Sequence, residues 1–180
     1  MRAMIKNEIT GKFEDRTIEV LHDAIVECCG PNGWDLYANS DAISQQLKAL
    51  SECGEACDSV NKGDYEQLKD DIGDIIVCLI NWCQLMPAEF IPCWVNSQPH
   101  NSQEEIKRLT VELAGHLWGL PENVEDCGTD HVDSTLNCIR HICIVANIDP
   151  VECLGIAYDV ISKRTGRMIN GTFVKDLVTQ

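Results

Sequence analysis

Apolar residues fall at 18, 21, 25 and 28 within the stretch 16–29, the spacing of a helix with one buried face. Gly30-Pro31-Asn32-Gly33 ends that helix, and a loop through Trp34 and Tyr37 follows. A second helix is predicted over 41–62, capped by Ser40 or Asp41, with Ile43, Leu47, Leu50, Cys57 and Val60 as its apolar side. Gly63 suits its C-cap. Asp64 caps a third helix over 65–86, with Leu68, Ile72, Ile75, Ile76, Leu79 and Ile80 as its apolar body, and Pro87 ends it. The stretch 87–103 holds three prolines and reads as a connector. A fourth helix over 104–118 stops at Gly119-Leu120-Pro121, and an acidic loop runs to about 130. A fifth helix covers 131–147. Asp149-Pro150 opens a sixth, which runs to about 164 and is closed by Gly166. No stretch alternates convincingly with period two, and the tail 169–180 is compatible with extended chain. The fold class is therefore all-α.

The polar positions of the second helix form a pattern of their own. Gln45, Lys48, Glu52, Glu55, Ser59 and Lys62 recur at steps of three or four, which puts them on one face, read as lying opposite the apolar one. The third helix sets Asp70, Asp71, Asp74 and Asn81 along one side in the same way. The tight turn at Gly63 makes the two helices pack antiparallel, so Glu52 and Glu55 face Asp71 and Asp74. Carboxylates gathered this way repel by several kcal/mol per pair at an effective dielectric of about 20. They must take up protons or bind a divalent cation, and hard oxygen donors suit Mg²⁺ or Mn²⁺. Such a cation clamps phosphates and acidifies a water molecule. The competing reading is a solvated acidic face. Against it, the acids occupy both helices of one hairpin, and Glu52 and Glu55 lack a Lys/Arg ladder.

Bulk properties narrow the function. At 180 residues, one domain is expected. The net charge of -15 argues against a nucleic-acid partner, since such binding neutralises phosphates with Lys and Arg. No run of about 18 apolar residues is present, so a membrane span is not expected, and the N-terminus lacks the apolar block of a signal peptide. Eleven cysteines form no C-x-x-C pair and no Cys/His blocks at zinc spacing, and several sit at apolar helical positions, among them Cys57, Cys78 and Cys143. They read as reduced core thiols of a cytoplasmic protein.

Leu50-Ser-Glu-Cys-Gly-Glu-Ala resembles the first motif of the MazG-like, all-α NTP pyrophosphatases, and Lys69-Asp-Asp-Ile-Gly-Asp-Ile-Ile resembles the second. The family pattern, E-x-x-E followed after a spacer by E-x-x-D, maps onto Glu52, Glu55, Asp71 and Asp74. Asn81 matches an Asn of the family. Lys48 and the ending Ala157 to Lys175 resemble phage-type members. The resemblance covers roughly 40–86 and 149–176. It implies a helical bundle assembling as a homodimer or homotetramer, with Mg²⁺ or Mn²⁺ at the four acids. It also implies hydrolysis of a nucleoside triphosphate to the monophosphate and diphosphate, with Glu52 or Glu55 activating the water. In this light 1–180 is one MazG-like domain, its core 16–86 and 149–168, with a helical insertion at about 87–148. Purine deoxynucleotides (dGTP or dATP) are the first expectation, and nucleotide-pool control in the cytoplasm, of a host cell if phage-encoded, is the implied role. Phosphoribosyl-ATP and dUTP or dCTP are alternatives. From another class, the rival is a non-enzymatic helical oligomeric adaptor. The sequence departs from the pattern at Asp71, which stands where the family carries Glu.

Further candidates carry plainer alternatives. Lys163, Arg164 and Arg167 either reach phosphates or stabilise a helix C-terminus. Lys48 and Lys62 either bind phosphate or pair with the neighbouring acids. Trp34, in the loop before the acidic helix, is the candidate for stacking on a base, whereas Trp82, Trp94 and Trp118 read as core. His116, His131 and His141 read as surface or capping residues, and Glu125, Asp126 and Asp130 as a solvated loop.

Overall fold

A computed structural model describes residues 3–6, 13–90, 102–121, 129–169 and 172–176. These residues are mostly helical. A two-stranded antiparallel hairpin, β1 (Ala3–Lys6) and β2 (Phe13–Arg16), precedes α1 (Ile18–Cys29) and the single turn α2 (Leu36–Asn39). Two long helices follow, α3 (Ala42–Lys62) and α4 (Tyr65–Leu85). They are followed by α5 (Gln103–Trp118), α6 (Thr129–Ala146) and α7 (Pro150–Ile161), and a second antiparallel hairpin, β3 (Gly166–Ile169) and β4 (Thr172–Lys175). Trp94, Glu125, Asp126 and most of the proline-containing connector lie outside the described residues.

The helix ends follow local chemistry. Asp41 accepts from the Ser44 amide at 2.7 Å and Asp64 from the Gln67 amide at 3.1 Å, each satisfying an otherwise orphaned donor of the first turn. Between them Gly63 takes the left-handed conformation (φ 71°, ψ 24°), which reverses the chain within two residues. Asp149 caps α7, with Pro150 at the first helical position.

α4 is the central helix. It is apolar on nearly every side, from Leu68 through Cys83, because α3, α7 and α1 pack around it. Gly73 permits the closest of these approaches. A Cβ there would lie 2.2 Å from the Cys153 carbonyl oxygen of α7. Lys69 of α4 adds an ion pair to Glu152 of α7 at 3.1 Å. α5 packs on α3 and α6 on α5, and one continuous apolar cluster runs through α1, α3, α4, α5, α6 and α7. The segment expected as an insertion therefore shares the core of the rest.

Several expectations change. The buried side of α3 is Gln45, Ala49, Glu52, Cys53, Ala56, Ser59 and Val60. Ile43 and Leu47 are exposed, Leu47 at 62%, and Leu50 and Cys57 are only half-buried. Small Ala and Cys side chains let α3 approach its neighbours closely, and polar residues share that face because partners await them. The polar stripe is thus not opposite the buried face but partly within it. α7 stops at Ile161, and Gly166 heads a strand instead of closing a helix. α6 begins at Thr129, which places Asp130 in its first turn. Trp82 is core as expected, but Trp118 is 77% exposed. Among the described residues, no helix is long and apolar enough to cross a membrane.

Candidate active site

The α3–α4 hairpin brings its acids together from opposite directions. Glu52 is 5% exposed and Asp71 2% exposed, so these two are not part of a solvated face. Glu52 pairs with Lys48 one turn earlier on the same helix. Asp71 accepts from the Ser59 hydroxyl of α3, and from the Gln67 side-chain amide at 3.0 Å. Those two bonds hold Asp71 fixed between the helices.

Asp74 is the strained member. Burial is the largest cause that pushes its carboxyl up to about 6, and the Glu52 and Asp70 carboxylates push the same way. Arg164 and Lys48 act in the opposite direction without cancelling the rise. Two carboxylates thus share a partly buried space with less positive charge than they need.

Glu52 and Asp74 open onto a cleft of about 550 Å³, within the range of small-molecule sites. Lys48, Gln45, Asn81, Val77 and Cys78 line it from the same two helices. Trp34, Ile161, Arg164, Met168, Phe173 and Lys175 line it from other segments. Asn81 is buried and accepts from the Tyr37 hydroxyl at 2.9 Å, which ties α2 to α4. Trp34 stacks on Phe173 of β4, with ring centroids 4.2 Å apart. The Arg164 Nε is buried with no hydrogen-bond partner among the described residues. A buried guanidinium N–H without an acceptor is costly and marks where an anion would be welcome. Burial, with Glu52 the next cause, drives the Cys78 thiol far above its ordinary range. That cysteine is a neutral lining residue, not a nucleophile.

The sequence-predicted residues therefore divide. Glu52, Asp74, Lys48, Asn81, Arg164 and Trp34 meet at one cleft. Asp71 is adjacent in the hairpin but engaged by Ser59 and Gln67. Glu55 is exposed on α3, one turn beyond Glu52, and does not line the cleft. Lys62 is exposed and pairs with Asp58 at 3.7 Å. Lys163 and Arg167 are exposed beyond the cleft lining. Sequence reading missed Met168, Phe173 and Lys175 as lining residues. They lie on four-residue strands too short to show a period, and the hairpin alone carries them to the cleft. Comparison of the chain with protein-family models, with curated proteins and with solved structures found no match.

Proposed function

We propose that this chain is a divalent-cation-dependent nucleoside triphosphate pyrophosphohydrolase of MazG-like architecture. It would convert a nucleoside triphosphate and water to the monophosphate and diphosphate. The observation that carries the reading is the pairing of Glu52 and Asp74 across two antiparallel helices. Both face a cleft that also holds Arg164, Lys175 and the Trp34–Phe173 stack.

The all-oxygen donor set fits Mg²⁺ or Mn²⁺, and so does an Asp74 carboxyl raised first by burial and then by the Glu52 and Asp70 carboxylates. A bound cation supplies phosphate binding and a more acidic water. Glu52 and Asp74 would hold it. Asp71, held by Ser59 and Gln67, fixes the hairpin spacing, and Glu55 lies one turn beyond Glu52 on the exposed side of α3. Glu52 takes the proton as the water oxygen attacks the α-phosphorus. The bond from that phosphorus to the bridging oxygen breaks, and the electron pair leaves with diphosphate. Arg164 and Lys175 meet the charge that grows on the leaving group. The Trp34–Phe173 stack offers the aromatic surface for a base. dGTP and dATP are the first substrates to test, with dUTP, dCTP and phosphoribosyl-ATP as alternatives. A homodimer or homotetramer is the assembly that the MazG-like architecture implies.

Glu52→Gln tests the reading directly. Turnover should fall roughly 10²–10⁴-fold, the usual contribution of a general base, while circular dichroism and melting temperature stay near wild type. Wild-type rates in this variant would refute the assignment. The adaptor alternative predicts no turnover by any variant and no stabilisation by Mn²⁺ with a dNTP. The enzyme reading requires both, because a ligand bound only by the native state must raise its melting temperature.

A further inference from the structure

A second cluster of metal-ligating side chains lies away from the acidic cleft, between α5 and α6. Glu112 and His116 sit one helical turn apart on α5, with Glu112 Oε1 3.8 Å from His116 Nε2. Cys138 of α6 is buried against them. A carboxylate oxygen, an imidazole nitrogen and a thiol sulfur come within 4.8 Å of one another. We infer that Glu112, His116 and Cys138 form a Zn²⁺ site that ties α5 to α6, with solvent as the fourth ligand.

Three features carry the inference. The first is donor chemistry. One sulfur, one nitrogen and one oxygen suit a borderline-soft ion such as Zn²⁺, whereas the all-oxygen cleft suits Mg²⁺ or Mn²⁺. The second is orientation. Arg108 donates to Glu112 Oε2 at 2.9 Å, which leaves Oε1 turned toward His116. A carboxylate pinned through one oxygen with the other free has the outer support that metal ligands require. The third is reach. Tetrahedral zinc, with bonds of about 2.0–2.3 Å, holds its ligands roughly 3.5 Å apart. Glu112 is exposed and His116 half-buried, so small rotations of those two side chains close the remaining gap, while Cys138 stays fixed in the core.

The Cys138 Sγ donates to the Leu109 carbonyl at 3.3 Å. On binding, that thiol proton passes to solvent and the thiolate sulfur takes the ion in its place. No Cys/His block in the sequence announces this site, because its ligands come from two helices and include a carboxylate. The site would stiffen the α5–α6 pair. That pair is joined to the acidic helix by Gln46, whose side-chain amide donates to the Leu117 and Trp118 carbonyls at 2.9 and 3.0 Å.

Co²⁺ is the probe, added to metal-free full-length protein kept reduced with a phosphine. One equivalent should produce the near-ultraviolet thiolate-to-cobalt charge-transfer band and the intense visible bands of four-coordinate Co²⁺. Zn²⁺ should displace it. Cys138→Ala and the partly exposed His116→Ala should each abolish the charge-transfer band, and Glu52→Gln should retain it. Stoichiometric Zn²⁺ should raise the melting temperature of wild type and leave that of His116→Ala unchanged. Absence of the band in wild type overturns the proposal. So does its survival at full intensity in either ligand variant, since other cysteines would then hold the ion. The result does not depend on the hydrolase reading.

Discussion

Asp74 shows how one residue records its surroundings. Its carboxyl is ordinarily half-protonated near 3.8, and in the folded protein near 6, with burial the main cause and Glu52 the next. Between those values the folded state holds a proton that the unfolded chain has released. Stability from this group is therefore full below about 3.8 and is lost as pH rises through about 6. With divalent cations chelated, the protein should melt higher at pH 5 than at pH 7.5. Asp74→Asn should raise the melting temperature at pH 7.5 and shrink the difference between the two pH values. Identical pH profiles for wild type and Asp74→Asn, by thermal denaturation in EDTA, would show that Asp74 is not the strained group. Added Mn²⁺ should narrow the wild-type difference, because a cation favours the charged carboxylate.

At the scale of elements, Gly73 sets the distance between α4 and α7. The α7 carbonyl of Cys153 lies where a side chain would begin, so Gly73→Ala must push two helix backbones apart. The cost should be about 1–3 kcal/mol, the range for overpacking, or a drop of roughly 2–4 °C in melting temperature per kcal/mol at this size. Activity should fall further than stability alone explains, because α7 leads directly to Arg164. An unchanged melting temperature would mean that the helices part freely. The helices themselves were legible in the sequence, since Asp41, Asp64, Asp149-Pro150 and Gly63 announce their ends by local chemistry. Of the expected facing of Glu52 and Glu55 with Asp71 and Asp74, Glu52 and Asp74 share the cleft, while Glu55 stays exposed and Asp71 is engaged by Ser59 and Gln67. The turn sets the antiparallel packing but not which side of each helix turns inward. The buried face of α3 was misread because pattern reading assigns burial to large apolar residues. In the fold, Leu47 is left exposed, while Gln45 and Ser59 go inward to Ser40 and Asp71 outside α3, and Glu52 goes inward paired with Lys48 of its own helix. Of the β-hairpins only the extended tail over 169–180 was anticipated, since four residues span too few alternations to register a period.

Across the whole molecule, the apolar core and the cleft are not coextensive. The core runs through α1, α3, α4, α5, α6 and α7, while β3 and β4 add only Met168 at its margin. Yet Met168, Phe173 and Lys175 of that hairpin line the cleft. The chain carries a net charge of -15, so an anionic substrate meets repulsion at long range and depends on nearby cations once inside. Lys48 lies on α3 and Arg164 three residues past the end of α7, and Lys175 is the cation that the hairpin contributes. Ending the chain at Thr165 should therefore separate folding from binding. Helical content and cooperative melting should persist, because the long helices keep their contacts. The triphosphate KM should rise about tenfold or more, which corresponds to about 1.4 kcal/mol of lost binding. Removing Phe173 also frees the face of Trp34, so fluorescence of the truncated protein should shift toward that of an exposed indole. If truncation instead unfolds the helices, the hairpin is part of the core. If KM is unmoved, the strands line a cleft that the substrate does not use.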